Sequence, residues 1–201
     1  MNSFSLALIQ LSVKKDRLIN LTNAKEKISE AANHGAKVIC LPECFNSPYG
    51  IQHFSDYAEE IPNGITSVTL SKAAKAHQVY LIGGSIPEIE NGKIFNTCTV
   101  WNPQGELIGK YQKIHLNDID IPGKITFKES EVLSAGNEYL SFATPWTKIG
   151  IGICYDLRFP DLAQVYSRHF NCGLLVFPGA FHITTGKLHS YSARNLVFPN
   201  C

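Results

Sequence analysis

The sequence has no apolar run long enough to cross a bilayer, which takes about 20 consecutive apolar residues in a helix. It also has no excess of charge of one sign, because 18 Lys and Arg face 17 Asp and Glu, for a formal net charge of +1. The N-terminal residues lack the charged region and the apolar length of a secretory signal peptide. Neither a membrane nor a nucleic acid is therefore expected as a partner.

Metal-binding patterns are missing as well. The seven histidines show no ligand spacing and the six cysteines contain no C-x-x-C pair, so no metal and no cofactor is expected. Without a secretory context, we interpret the cysteines as reduced thiols in a cytosol-like compartment. They are Cys40, Cys44, Cys98, Cys154, Cys172 and Cys201.

The composition is that of a folded protein. At 201 residues, with 44% hydrophobic and 17% charged side chains, the chain suits one domain with a sizeable core. No linker, repeat or low-complexity segment divides it, so residues 1–201 are predicted to form a single domain. Strand and helix signals alternate at both ends, while hairpin signals occupy the middle. This order predicts an α/β fold, with a mixed sheet that carries helices on its outer face.

Local signals place the elements. Asp16 is typical of a helix N-cap and Gly35 of a helix stop, and Asn91-Gly92 is typical of a tight hairpin turn. Residues 114–136 are predicted to be mostly irregular, and a loop of that length inside a domain is usually functional. Strands are predicted near residues 4–11, 37–41, 79–85, 94–101, 106–112, 140–142, 148–153 and 173–178, and further helices over 66–77 and 160–170.

Three polar residues each follow a predicted strand: Glu43, Lys113 and Cys154. A cysteine nucleophile needs a base, a desolvated carboxylate can be that base, and a fixed lysine can face a developing oxyanion. The predicted helix start after Cys154 would favour the thiolate. The spacing alone leaves the structural alternatives open, namely a buried inert cysteine and two solvated surface charges.

Three motifs carry a resemblance to a known family. They are Leu41-Pro42-Glu43, Lys110-Tyr111-Gln112-Lys113-Ile114-His115-Leu116 and Gly152-Ile153-Cys154-Tyr155-Asp156-Leu157-Arg158-Phe159-Pro160. In this order they resemble the Glu–Lys–Cys set of the carbon–nitrogen hydrolases, the nitrilase superfamily. The resemblance runs from about residue 4 to residue 186. It implies an αββα sandwich, a homodimer, and a location in the cytoplasm or mitochondria.

The resemblance also implies the roles of the catalytic residues. Glu43 is the general base and Cys154 the nucleophile, while Lys113 and the backbone N–H of Tyr155 stabilise the oxyanion. Glu129 matches a second carboxylate that orients Lys113; the alternative is an exposed loop carboxylate.

Closer similarity points to one branch of the superfamily. Residues 43–50 and 118–127 are similar to those of amidases that act on the ω-amide of small dicarboxylate monoamides, such as 2-oxoglutaramate and 2-oxosuccinamate. Tyr49, His115 and Arg158 are the expected substrate-binding residues; Arg158 could instead pair with a neighbouring acid. The alternatives are an amidase of another branch, acting on deaminated glutathione or N-carbamoyl amides, and a catalytically inert isoform.

The C-terminal residues depart from the family pattern. Family members continue beyond this point, and residues 187–201 match no family pattern. We therefore expect a C-terminally truncated chain that is less stable than a complete family member and weakly active or inactive.

Overall fold

Six strands between residues 5 and 112 form a mixed sheet. A computed structural model describes residues 3–121, 123 and 125–181. The strands are β1 (Ser5–Leu8), β2 (Ala36–Cys40), β3 (Tyr80–Ile82), β4 (Ile86–Glu90), β5 (Lys93–Trp101) and β6 (Leu107–Gln112). The first three are parallel, and β3, β4 and β6 all pair antiparallel with β5. Because Thr97 pairs with both Ile86 and Gln112, β4 and β6 lie on opposite edges of β5.

Two long helices cover the outer face of this sheet. They are α1 (Arg17–Asn33) and α3 (Ile65–His77), and a short helix that was not predicted, α2 (Ile51–Tyr57), lies between them in the chain. Asp16 caps α1 as predicted, accepting hydrogen bonds from the backbone N–H groups of Leu18 and Ile19. The core between these helices and the sheet includes Ile28, Ile39, Phe45, Leu70, Ala74 and Leu81.

A second, three-stranded sheet faces the inner side of the first. Its strands are β9 (Leu140–Ala143), β10 (Lys148–Ile151) and β11 (Leu174–Val176), and α4 (Pro160–Arg168) packs on its outer side. The core between the sheets includes Val38, Ile82 and Val100 from the larger sheet and Ile149, Ile151 and Val176 from the smaller one. Each such side chain contributes about 1.5–3 kcal/mol of hydrophobic stabilisation.

The four layers confirm the predicted α/β sandwich. Successive residues of β2 point to opposite faces of the sheet. Val38 packs in the core between the sheets, whereas Ile39 packs under the helices. A strand buried on both faces is apolar throughout, as residues 38–41 are.

Residues 114–136 are more regular than predicted. They contain a hairpin of β7 (Asp118–Ile121) and β8 (Ile125–Lys128), followed by a 3₁₀ turn over Glu129–Glu131. The period-two alternation of Asp118-Ile119-Asp120-Ile121 was the signal for a strand, and Gly123 at φ 72° fits the turn. This prediction was therefore wrong in part.

Within the described ranges, no helix is long and apolar enough to span a membrane. Residues 187–201 lie outside the described residues, so the expectations about them stay predictions.

Candidate active site

The two facing sheets bring the three predicted residues together at their edge. Glu43 follows β2 and Lys113 follows β6 of the larger sheet, while Cys154 follows β10 of the smaller one. The Nζ atom of Lys113 lies 2.9 Å from Oε1 of Glu43, and the Cys154 thiol lies close enough to Glu43 for that carboxylate to raise its pKa. Glu43 and Lys113 are not solvated surface charges, because both side chains are completely buried.

The Glu43 carboxylate is held from several sides. Its Oε1 accepts hydrogen bonds from Lys113 Nζ and, at 3.0 Å, from Asn96 Nδ2. Its Oε2 accepts one from the backbone N–H of Ala180, also at 3.0 Å. These three donors hold the carboxylate in one orientation.

Lys113 lies between two carboxylates. Its Nζ is 2.9 Å from Glu43 and 3.0 Å from Oε2 of Glu129. Burial acts to lower the pKa of Lys113, but the charges of Glu43 and Glu129 outweigh it and the pKa is raised. Lys113 is therefore held as a cation in a site shielded from water.

Glu129 is a fully buried carboxylate, and the alternative of an exposed loop position is wrong. Its Oε1 accepts a hydrogen bond of 2.7 Å from the Tyr49 hydroxyl, and its Oε2 one of 2.7 Å from the N–H of Asn117. Burial raises the pKa of Glu129, while Lys113 and these two donors oppose the increase.

Cys154 begins a 3₁₀ turn over Cys154–Arg158, which leads into α4. Its backbone has a positive φ of 47°, unusual for a residue with a side chain, and its N–H donates to Pro178 O at 2.8 Å. Burial and the neighbouring Glu43 raise the pKa of Cys154, and Lys113 only partly opposes them. The predicted effect of the helix start, which favours the thiolate, is outweighed, because desolvation and the like charge of Glu43 raise the pKa of Cys154.

The remaining predicted residues are placed as follows. Tyr49 contacts the site through the hydrogen bond from its hydroxyl to Glu129, and its ring stacks on Phe127 with centroids 5.8 Å apart. The Tyr155 ring lies beneath the guanidinium of Arg158, whose Cζ is 5.5 Å from the ring centroid. Arg158 is exposed, and the ion pairs found among the described residues do not include it.

His115 is turned toward Asp156. Its Nδ1 lies 2.7 Å from Oδ1 of Asp156, and its ring stacks on Phe159 with centroids 3.6 Å apart. The His115 side chain therefore contacts the turn that begins at Cys154, through Asp156 and Phe159.

Sequence reasoning missed three contributors to this site. Asn96 was detectable, as a polar residue on the inward-facing, otherwise apolar side of β5. Asp156 was seen as a polar neighbour of Cys154 but received no role. Ala180 contributes only its backbone N–H, which leaves no signal in the side-chain pattern.

The chain is similar to known proteins over nearly its whole length. A carbon–nitrogen hydrolase family model matches residues 5–186. Omega-amidase NIT2 of Homo sapiens is 56% identical over 189 residues, covering 94% of this chain and 68% of that protein. Omega-amidase NIT2 of Danio rerio is 54% identical with the same coverage. The crystal structure of Saccharomyces cerevisiae Nit3, a member of branch 10 of the nitrilase superfamily, is 37% identical with a TM-score of 0.84, covering 95% of this chain and 70% of that chain.

The matched region contains the whole buried cluster of Glu43, Lys113, Glu129 and Cys154. The chain therefore belongs to the carbon–nitrogen hydrolase family of the nitrilase superfamily, and it is a hydrolase of carbon–nitrogen bonds such as those of amides.

Proposed function

We propose that this protein hydrolyses the ω-amide of small dicarboxylate monoamides, with 2-oxoglutaramate and 2-oxosuccinamate as substrates and ammonia as a product. One observation carries the catalytic part of the proposal: Glu43 forms a buried ion pair with Lys113 and lies near enough to the buried Cys154 thiol to raise its pKa. Base, nucleophile and cation are thus assembled before substrate arrives. The substrate class is supported by the similarity to proteins named omega-amidase.

The first half-reaction forms a thioester. Glu43 takes the proton of the Cys154 thiol as the sulfur attacks the amide carbon. The carbonyl oxygen becomes an oxyanion, for which Lys113 Nζ and the backbone N–H of Tyr155 are the donors. Glu43 then returns the proton to the amide nitrogen, the carbon–nitrogen bond breaks, and ammonia leaves.

The second half-reaction hydrolyses the thioester. Glu43 takes a proton from water, which attacks the thioester carbon, and the same two donors hold the second oxyanion. The carbon–sulfur bond breaks and the sulfur recovers its proton from Glu43. The sum is one amide and one water converted to one carboxylic acid and one ammonia.

A raised pKa of Cys154 suits this cycle. A thiol that stays protonated at rest does not repel the buried Glu43 carboxylate, and it becomes a thiolate only when its proton moves onto Glu43. Glu129 has no direct step. It holds Lys113 at 3.0 Å and is itself oriented by Tyr49.

Substrate recognition is assigned to Tyr49, His115 and Arg158. The exposed guanidinium of Arg158 is the charged group of the three suited to a substrate carboxylate, because guanidinium binds carboxylate in a two-point contact. Residues 1–201 are proposed to form one domain, and the protein to be a homodimer in the cytoplasm or mitochondria. Light scattering of the purified chain tests the dimer.

Ammonia release tests the function. The purified chain is incubated with 2-oxoglutaramate, 2-oxosuccinamate, glutamine, deaminated glutathione and an N-carbamoyl amino acid. We expect release from the first two and a preference of at least about tenfold over the others, as a pocket with a built polar contact gives. Cys154→Ala should abolish release.

A matched control uses another buried thiol. Cys172, which lies under α4, is 7% exposed like Cys154. Cys172→Ala should keep full turnover. Release of ammonia mainly from deaminated glutathione or the N-carbamoyl compound would assign the chain to another branch. Turnover of none of the compounds by a folded chain would contradict the proposed activity.

A further inference from the structure

We propose that Asp156 is a positioning residue, whose carboxylate locks the Lys113 segment against the Cys154 turn. The proposal rests on the proposed function for its catalytic meaning. Its structural basis is independent, because it consists of hydrogen bonds between the two sheets. Asp156 is completely buried and lies two residues after the nucleophile.

Four donors converge on the two oxygens of Asp156. Oδ2 accepts from the Tyr111 hydroxyl at 2.9 Å and from the backbone N–H of Ile153 at 2.8 Å. Oδ1 accepts from the backbone N–H of His115 at 2.9 Å and from its Nδ1 at 2.7 Å. A carboxylate oxygen accepts, so this last contact assigns the hydrogen of the His115 ring to Nδ1.

The positions of these donors in the chain explain what the carboxylate does. Tyr111 lies two residues before Lys113 and His115 two residues after it, so both flanks of the lysine are tied to the same group. Ile153 immediately precedes Cys154. One side chain therefore binds the Tyr111 side chain before the proposed oxyanion donor, the His115 backbone after it, and the backbone at the entrance to the nucleophile turn.

This link crosses from one sheet to the other. Lys113 belongs to the end of β6 in the larger sheet, and Cys154 to the end of β10 in the smaller one. Apolar packing holds the sheets face to face but has no strong directional preference. Hydrogen bonds are directional, so Asp156 is suited to set the distance between lysine and sulfur where the packing does not.

Only a carboxylate satisfies all four donors. An amide at this position has one oxygen and one NH₂ group. Whichever way round it sits, its NH₂ group would face a backbone N–H, either that of Ile153 or that of His115. Asp156→Asn is therefore nearly isosteric and yet breaks one half of the link.

The experiment compares Asp156→Asn and Tyr111→Phe with the unchanged chain, using 2-oxoglutaramate at a temperature well below each Tm. We expect kcat of Asp156→Asn to fall about 100-fold, the loss typical of a misplacement of about 1 Å, with KM nearly unchanged. Tyr111→Phe removes one donor and keeps the carboxylate, so kcat should fall less, by about tenfold. The fold-reduction in kcat of the double variant should be smaller than the product of the two single reductions, because both substitutions weaken the same link.

A control separates positioning from simple loss of stability. Leu70→Ala truncates a buried side chain in the outer helix layer, away from the site, and should lower Tm at least as much as Asp156→Asn. Its kcat should stay unchanged. If Leu70→Ala reduced kcat as much as Asp156→Asn, or if Asp156→Asn altered KM alone, the positioning role would be overturned.

A second readout does not depend on turnover. The charge of Lys113 lowers the pKa of Cys154, so moving it away reduces the thiolate and slows alkylation. Labelling of Cys154 by iodoacetamide should slow several-fold in Asp156→Asn, in the same direction as in Lys113→Met. If the unchanged chain releases no ammonia, the proposed function fails and the labelling still tests the positioning. An unchanged or faster rate in Asp156→Asn would overturn it.

Discussion

The ammonium of Lys113 lies 2.9 Å from the carboxylate of Glu43, and neither side chain is accessible to solvent. Burying two such charges costs several kcal/mol for each ion, and their attraction only about offsets that cost. Apolar residues of the same volume would serve stability as well. The pair is therefore better explained by chemistry than by folding, since charged groups held in a dry cleft are typical of active sites.

Removing the cation should destabilise the fold as well as stop turnover. Lys113→Met leaves the Glu43 and Glu129 carboxylates buried without their shared partner, which typically costs about 3–5 kcal/mol of unfolding free energy. Urea unfolding measures this. Lys27→Met is the matched control, because its ion pair with Glu30 is fully exposed and its loss should leave the midpoint unchanged. Equal midpoints for the two variants would contradict the burial of the cluster.

Cys154 should be the first of the described thiols to react with iodoacetamide. It is 7% exposed and adjoins Glu43, which can accept its proton. The thiols of Cys40 and Cys98, in contrast, are buried and donate to backbone oxygens. Limited alkylation followed by peptide mapping measures the order. Earlier labelling of Cys40, Cys44 or Cys172 would contradict the assignment of the nucleophile.

The hydroxyl of Tyr49 should lower the pKa of Glu129. Its hydrogen bond helps to keep the pKa of Glu129 down against burial, so Tyr49→Phe should raise that pKa further. Glu129 then gains its proton at a higher pH, and the acid limb of the kcat–pH profile should move to higher pH. A hydrogen bond to a charged group is worth about 1.5–3 kcal/mol, so kcat near neutral pH should fall by about 10- to 100-fold.

Tyr57→Phe is the control for this change. The Tyr57 hydroxyl donates to the backbone oxygen of Lys15, outside the site, so its removal should leave the pH profile in place. If both variants shifted the acid limb equally, Glu129 would not be the group that titrates.

The protein should lose stability as the solution becomes alkaline. Burial raises the pKa values of Cys40, Cys44 and Cys98. Above pH 9, their ordinary value, the unfolded chain releases these protons while the folded chain keeps them. The folded state then binds more protons, so the unfolding free energy falls with pH, by about 1.4 kcal/mol per pH unit for each such thiol.

Thermal unfolding between pH 7.5 and 10.5 under reducing conditions measures this loss. Tm should be nearly constant up to about pH 8.5 and fall beyond it, where the cysteines of the unfolded chain begin to titrate. Cys98→Ala should make the decline shallower, since one suppressed titration is removed. A Tm that stays constant to pH 10.5 would contradict the protonated, buried state of these thiols.

The sequence by itself determined the order of the elements and the identity of the three central residues. The apolar strands 38–41 and 148–153, the Asp16 cap and the Asn91-Gly92 turn are local patterns, and local patterns follow from the residues themselves. Glu43, Lys113 and Cys154 could be named because each follows such a strand within a motif that resembles a family. The β7–β8 hairpin also had a local signal, but the alternation of polar and apolar residues in it was overlooked.

The tertiary structure alone decided what surrounds those residues. Glu43, Asn96 and Lys113 lie on three different strands or strand ends of one sheet, while Cys154 and Ala180 come from segments that follow strands of the other. No pattern along the chain encodes a distance between two sheets. The raised pKa of Cys154 likewise depends on burial and on a carboxylate more than one hundred residues away in sequence, and only the packing of the two sheets brings these together.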